Sequence, residues 1–144
     1  MKQPRGRVLI VDDEPDILLM LRVNLESEGF TTALAGDGET ALRRIEEERP
    51  DVVLLDVMMP VLDGWGVLAG LHKMDPRPRI LVLSAKSGGR DVAKAYELGA
   101  DQYVTKPFDP DELIAAIDDL LALDQASLEQ RRQLQFERFA AQAL

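Results

Sequence analysis

Four short strand-like runs in this chain each end in a group able to handle charge. Val8–Val11 leads into Asp12 and Asp13, Val52–Leu55 into Asp56, Ile80–Leu83 into Ser84, and Gln102–Thr105 into Lys106. Three carboxylates drawn into one cleft repel, at roughly 4 kcal/mol for a pair ~4 Å apart at an effective dielectric near 20. Unrelieved, that repulsion would protonate one of them. A hard divalent cation removes the conflict, and an all-oxygen ligand set selects Mg²⁺ over zinc or copper. Lys106 adds a fixed positive charge suited to an anion, and Ser84 adds a hydroxyl donor. Cation, lysine and hydroxyl around one carboxylate suit in-line phosphoryl transfer onto that carboxylate. Asp56 is the expected nucleophile, because it is central and has no acidic neighbour with which to share a metal.

The elements that would bring these groups together follow from the pattern between them. A short apolar run without alternation reads as a strand buried on both faces, as in a parallel sheet. Strands are expected to begin near residues 7, 31, 52, 80 and 101, with the second, less hydrophobic one at a sheet edge. Between them lie helical patterns. Pro15 opens a helix with Asp12 or Asp13 as expected cap and Gly29 as its stop. Further helices are expected over Thr40–Glu48, Trp65–Met74 and Arg90–Leu98, and from Pro110 onward, where Leu113, Ile114, Ile117, Leu120 and Leu121 would face inward. Strict strand–helix alternation implies an α/β fold: a parallel sheet with helices on both faces and right-handed crossovers. All carboxyl ends of such a sheet lie on one edge, so Asp12, Asp13, Asp56, Ser84 and Lys106 should converge there.

Composition narrows the function classes. The 144 residues suggest one domain with a small appendage. A net charge of -9 argues against direct binding to nucleic acid or to an anionic membrane. There is no cysteine, so no disulfide, thiolate nucleophile or cysteine-ligated metal. No apolar stretch is long enough to span a bilayer and the N-terminal apolar run is too short for a signal peptide, so the cytoplasm is the expected location. The single histidine, His72, reads as a surface or half-buried helix residue rather than a relay group, and Trp65 and the methionines as packing.

With these residues in place, the chain resembles the receiver domains of bacterial two-component response regulators, the CheY-like family. The matching pieces are Val11-Asp12-Asp13-Glu14, Leu54-Leu55-Asp56-Val57-Met58-Met59-Pro60 with Asp63-Gly64, Leu83-Ser84-Ala85, Gly99-Ala100-Asp101 and Lys106-Pro107-Phe108. They occur in the family's order over about residues 6 to 122. The resemblance implies a flavodoxin-like sheet of order 2-1-3-4-5. It implies that Asp56 is the phosphoacceptor and that Asp12, Asp13, Asp56 and the Met58 carbonyl hold Mg²⁺. Lys106 would neutralise the phosphoryl group across a cis Lys106–Pro107 bond, while Ser84 and Tyr103 would be the switch pair. It further implies a histidine kinase or phosphotransfer protein as donor, and an effector or fused output domain as receiver of the signal, with a homodimer possible in principle. Such a domain catalyses only its own phosphorylation and dephosphorylation. Two other readings stand beside it. One is a Mg²⁺-dependent aspartyl-phosphate phosphatase of a small molecule, against which Val57-Met58 supplies no second acid two residues after Asp56. The other is a receiver-shaped interaction module that is never phosphorylated.

Residues 1–122 are expected to form the receiver and residues 123–144 a helical C-terminal extension or the start of a linker. The extension contains no Gly or Pro, which favours helix, and carries an apolar stripe of Phe136, Phe139, Ala140, Ala143 and Leu144. It could prolong the preceding helix or fold separately against the body or a second chain. It is too short for a DNA-binding domain, so the chain reads either as a stand-alone receiver or as part of a longer regulator.

Overall fold

The computed structural model describes residues 5–57 and 64–143. Among them, strands β1 (Arg7–Val11), β2 (Thr31–Ala35), β3 (Val52–Asp56), β4 (Arg79–Ser84) and β5 (Gln102–Thr105) alternate with helices α1 (Pro15–Ser27), α2 (Gly38–Glu48), α3 (Gly64–His72), α4 (Gly89–Glu97) and α5 (Pro110–Ala122). A further helix, α6 (Gln125–Gln142), follows. The strands form one parallel sheet of order β2-β1-β3-β4-β5, with β2 at an edge as its weaker hydrophobicity predicts.

The pleat explains why the apolar runs do not alternate. Leu9, Val11, Val53, Leu55, Ile80 and Val82 face a core completed by α2, α3 and α4 through Ala41, Ile45, Leu68, Leu71 and Ala95. Their neighbours Val8, Ile10, Val52, Leu54, Leu81 and Leu83 face a second core built from Leu21 and Leu25 of α1 and Leu113, Ile117 and Leu120 of α5. Each fully buried Leu, Ile or Val contributes about 1.5–3 kcal/mol of burial free energy. Val52 through Leu55 are all completely shielded, so the mount beneath Asp56 is the most deeply embedded strand segment.

Local signals differ in detail from the expectation. Neither Asp12 nor Asp13 is the cap residue of α1. Glu14 holds that position without a side-chain cap bond, and the Asp12 carboxylate accepts from the Glu14 amide at 2.9 Å, one residue before the helix. Asp37, between Gly36 and Gly38, caps α2 by accepting from the Thr40 amide at 2.7 Å. Gly29 and Gly99 end their helices at φ +94 and +114, a region that favours glycine.

The C-terminal segment neither prolongs α5 nor stands free. Arg79 donates to the carbonyls of Leu120 and Leu123, both at 2.6 Å, satisfying acceptors that the end of α5 leaves open. Leu123 then turns extended, and Asp124 caps α6 by accepting from the Ser127 amide at 2.7 Å. Leu128 enters the α1–α5 core, and α6 runs antiparallel along α4 to end beside Gly89. Between these points Arg132 pairs with Asp101, which is completely buried and also bound by Arg77 at 2.7 Å and by the Ile80 amide at 2.8 Å. His72 packs beside Gly99, where any Cβ would strike the imidazole.

Truncating Asp101 to Ala strands two nearly buried guanidinium groups, so unfolding in urea should show about 3–5 kcal/mol of lost stability. Burial first, then the charges of Arg77 and Arg132, holds His72 below its ordinary 6.5. Its neutral form is therefore favoured by folding. The associated stability is fully present above about pH 6.5 and falls as pH drops through the folded value. An NMR titration of this single histidine should give a midpoint below 6.5 that rises in Arg132→Gln.

Candidate functional site

The carboxyl edge of the sheet carries the groups expected there. Asp12 directly follows β1 and is 1% exposed; Asp56 is the last residue of β3 and is 7% exposed. The register places Val11 beside Leu55, so the two acids leave adjacent central strands side by side. Asp13 lies at the rim, and carboxylate oxygens of Asp12, Asp13 and Asp56 all fall within 4.8 Å of one another. An all-carboxylate group of this kind fits a hard, oxygen-seeking divalent cation. Met58, whose carbonyl the resemblance assigns to the metal, lies outside the described residues.

Lys106 follows β5, and its amide donates to the Ser84 carbonyl at 2.8 Å. This bond ties the lysine's backbone to the end of β4. The Lys106–Pro107 peptide is cis. From there the Lys106 Nζ donates to Asp12 Oδ2 and to Asp56 Oδ2, each at 2.9 Å. The pairing with Asp12 was not legible in the sequence, which assigned the lysine to an incoming anion. Burial alone would lower the Lys106 ammonium's pKa, but hydrogen bonds and charge from Asp56 and Asp12 more than offset it and raise it above 10.5. The lysine is therefore charged throughout the physiological range.

Ser84 ends β4 and is completely buried. Its Oγ accepts from the Lys86 amide at 3.1 Å. Tyr103, in the neighbouring strand β5, donates its hydroxyl to the Lys86 carbonyl at 2.6 Å. The two residues thus grip the same residue of the loop between β4 and α4 from opposite peptide groups. Burial pushes the Tyr103 phenol up, opposed by Ser84 and reinforced by the charges of Asp91 and Asp56. The sequence places Lys86 in the loop after β4, where the family resemblance makes it a variable position near the site, but its role as a backbone partner of Ser84 and Tyr103 carries no residue-type signal.

Gly64 completes the wall behind Asp56. A Cβ there would run into the Val57 backbone and meet the Asp56 carbonyl at 2.8 Å, so only glycine lets α3 begin this close to the end of β3. Trp65 beside it packs partly into the core, and the Lys94 ammonium lies 4.4 Å from its ring centroid. No described helix is long and apolar enough to cross a membrane.

Comparisons with known proteins converge on one family. The sequence model for the response regulator receiver domain matches residues 8–118. The chain is 46% identical over 117 residues to the DNA-binding response regulator MtrA of Mycolicibacterium smegmatis, covering 81% of this chain and 51% of that protein. It is 44% identical over 115 residues to the alkaline phosphatase synthesis transcriptional regulatory protein PhoP of Bacillus subtilis, covering 80% of this chain and 48% of that one. The chain therefore spans about half the length of these relatives. Among solved structures, the receiver domain of the Francisella response regulator 1452 aligns with a TM-score of 0.76 at 35% identity, covering 81% of this chain and 97% of that one. A CheY-like receiver domain protein from Methanospirillum hungatei aligns with a TM-score of 0.75 at 26% identity, covering 92% of this chain and 98% of that one. The family model over residues 8–118, the 46% identity to a curated response regulator and the alignment of the β2-β1-β3-β4-β5 sheet with solved receiver domains together show that the chain belongs to the response regulator receiver family.

Proposed function

We propose that the chain is a phosphorylatable switch in which Asp56 accepts a phosphoryl group from a histidine kinase or phosphotransfer protein. The observation that carries this reading is the clustering of the Asp12, Asp13 and Asp56 oxygens within 4.8 Å, with the Lys106 ammonium bonded to Asp56. An Asp56 carboxylate oxygen attacks phosphorus in line, the bond from phosphorus to the donor atom breaks, and the donor leaves with the electron pair. Lys106 is already charged and aimed at Asp56, so it can follow the negative charge onto the phosphoryl oxygens without a proton transfer. Asp12, Asp13 and Asp56 would hold Mg²⁺, which supplies positive charge for the phosphoryl oxygens. The Met58 carbonyl is assigned to the same ion by family resemblance alone.

Ser84 and Tyr103 form the proposed readout. New acceptor oxygens at Asp56 compete for the Ser84 hydroxyl. Turning Ser84 toward them releases the Lys86 amide, and Tyr103 can then leave the Lys86 carbonyl for the space vacated. The outcome is a shift between two packings of one fold. Residues 1–122 constitute the receiver in this reading and residues 123–144 a helical extension. The effector is a separate protein or a fused output domain, the latter suggested by relatives about twice as long.

Incubation with acetyl phosphate and Mg²⁺ should form an acid-stable, hydroxylamine-sensitive acyl phosphate in the parent chain and none in Asp56→Asn; undiminished labelling of that variant would overturn the assignment. Chelating the metal should stop labelling. Replacing Lys106 by Ala should slow it by about 10²–10³-fold, the usual cost of removing one preorganised charge-stabilising donor.

A further inference from the structure

The loop gripped by Ser84 and Tyr103 leads directly into the contact between α4 and α6. Lys86 is held by both switch side chains, Gly88 is the cap of α4, and Gly89 is its first residue. A Cβ at Gly89 would meet the Phe139 carbonyl of α6 at 3.0 Å and the Gln142 Cβ at 3.3 Å. The C-terminal end of α6 therefore rests on the first turn of α4, three residues beyond the clamped Lys86. At the other end of α4, the Tyr96 ring stacks on Phe139, with centroids 6.4 Å apart and planes inclined by 9°. Tyr96 is fixed in turn by donating to Gln102 Oε1 at 3.1 Å, in the strand that carries Tyr103. The far end of α6 is anchored independently, by Leu128 in the α1–α5 core and by Arg132 on Asp101.

We propose that α6 is a built-in latch over the α4 face, hinged at Leu128 and Arg132, whose C-terminal half is released when the clamp on Lys86 opens. The inference rests on the phosphorylation reading above, and it assigns that switch an output inside this chain. The physical basis is the lack of slack between Lys86 and Gly89. Both peptide groups of Lys86 are bonded to the switch residues, and α6 passes so close to Gly89 that a Cβ there would meet the Phe139 carbonyl. A displacement of the loop that follows loss of both bonds has only Ser87 and Gly88 to cross before it reaches the contact with Phe139. That half of α6 lies along α4 without a fully buried side chain: Phe139 is partly exposed, Leu134 is 66% exposed, and the buried anchor Leu128 lies toward the start of the helix. Linkage makes the coupling reciprocal, so undocking α6 must favour the phosphorylated packing by the same factor that phosphorylation favours undocking.

Hydrogen exchange on the 144-residue chain, with and without beryllofluoride and Mg²⁺ as a stable phosphoryl mimic, tests the latch. Helices in proteins depend mainly on packing for stability, so a released α6 exchanges faster. The expected result is loss of protection over residues 133–142, with residues 125–132 protected throughout. Gly89→Leu, whose side chain would collide with Phe139, and Phe139→Ala, which removes the stacking without touching α4, should each expose residues 133–142 without the mimic. Both should also bind beryllofluoride more tightly, by a factor between about 5 and 150 if the coupling is of ordinary size. Unchanged protection of residues 133–142 in a sample saturated with the mimic would overturn the latch and leave the phosphoacceptor reading intact, as would unchanged affinity in both variants. Failure of the parent chain to bind the mimic or to form an acyl phosphate would overturn the phosphoacceptor reading, and the latch with it.

Discussion

The charge balance at the carboxyl edge of the sheet is the constraint to which the rest of the molecule answers. Asp12 and Asp56 are nearly buried and issue from neighbouring strands whose preceding residues are locked in the two cores. They cannot separate to relieve their repulsion without pulling Val8–Val11 or Val52–Leu55 out of apolar contact. Neutralisation must come from a third group, and the Lys106 Nζ provides it by bonding both acids at 2.9 Å. This arrangement also prepares the site for its proposed chemistry. Lys106, Asp56 and Asp12 are held in one hydrogen-bonded group by the fold itself, which in that proposal leaves little reorganisation to accompany charge development.

Rigidity and mobility are divided along that same edge. The strand beneath Asp56 is shielded on both faces, which suits a nucleophile whose position must not drift. The loop after Ser84 is the opposite case. Residues 85–88 are exposed, and Lys86 is held through two single hydrogen bonds from side chains rather than by a ladder. Elements with few buried contacts open at low free-energy cost, which is where a conformational readout can be built without endangering the fold. A second network, centred on buried Asp101 with Arg77 and Arg132, lies under the opposite end of α4 and joins the extension to the body. Breaking it would leave buried charge, so that end of α6 is bound far more firmly than the end on Gly89.

Much of this was legible in the sequence. The five strands, their parallel order of burial and the edge position of β2 followed from apolar run length and the alternation of elements, because a two-faced core dictates unbroken hydrophobic strands. Asp12, Asp13, Asp56, Ser84 and Lys106 could be grouped because parallel strands bring their carboxyl ends together regardless of the details in between. Less legible were contacts that depend on where chains pass in space. Asp101 stands only as part of a Gly-Ala-Asp motif in sequence, yet its partners are 24 and 31 residues away. The cap of α1 went to Glu14 rather than to either aspartate because the Asp12 carboxylate is committed to Lys106 and to the turn that presents it.

The amino-acid sequence by itself determined the fold class, the strand order through its family pattern, and the set of groups delivered to one edge, since hydrophobic periodicity and strand polarity leave few alternatives. Tertiary structure alone decided two things. It set Lys106 between Asp12 and Asp56 rather than toward solvent: the hydrogen bond from the Lys106 N–H to the Ser84 carbonyl fixes its backbone at the sheet edge, within reach of both carboxylates. It also folded the extension back as a separate helix on α4. Composition allowed a continued α5 equally well, and the break was made by Arg79 satisfying the last α5 carbonyls, Asp124 starting a new helix, and Gly89 leaving room for Phe139.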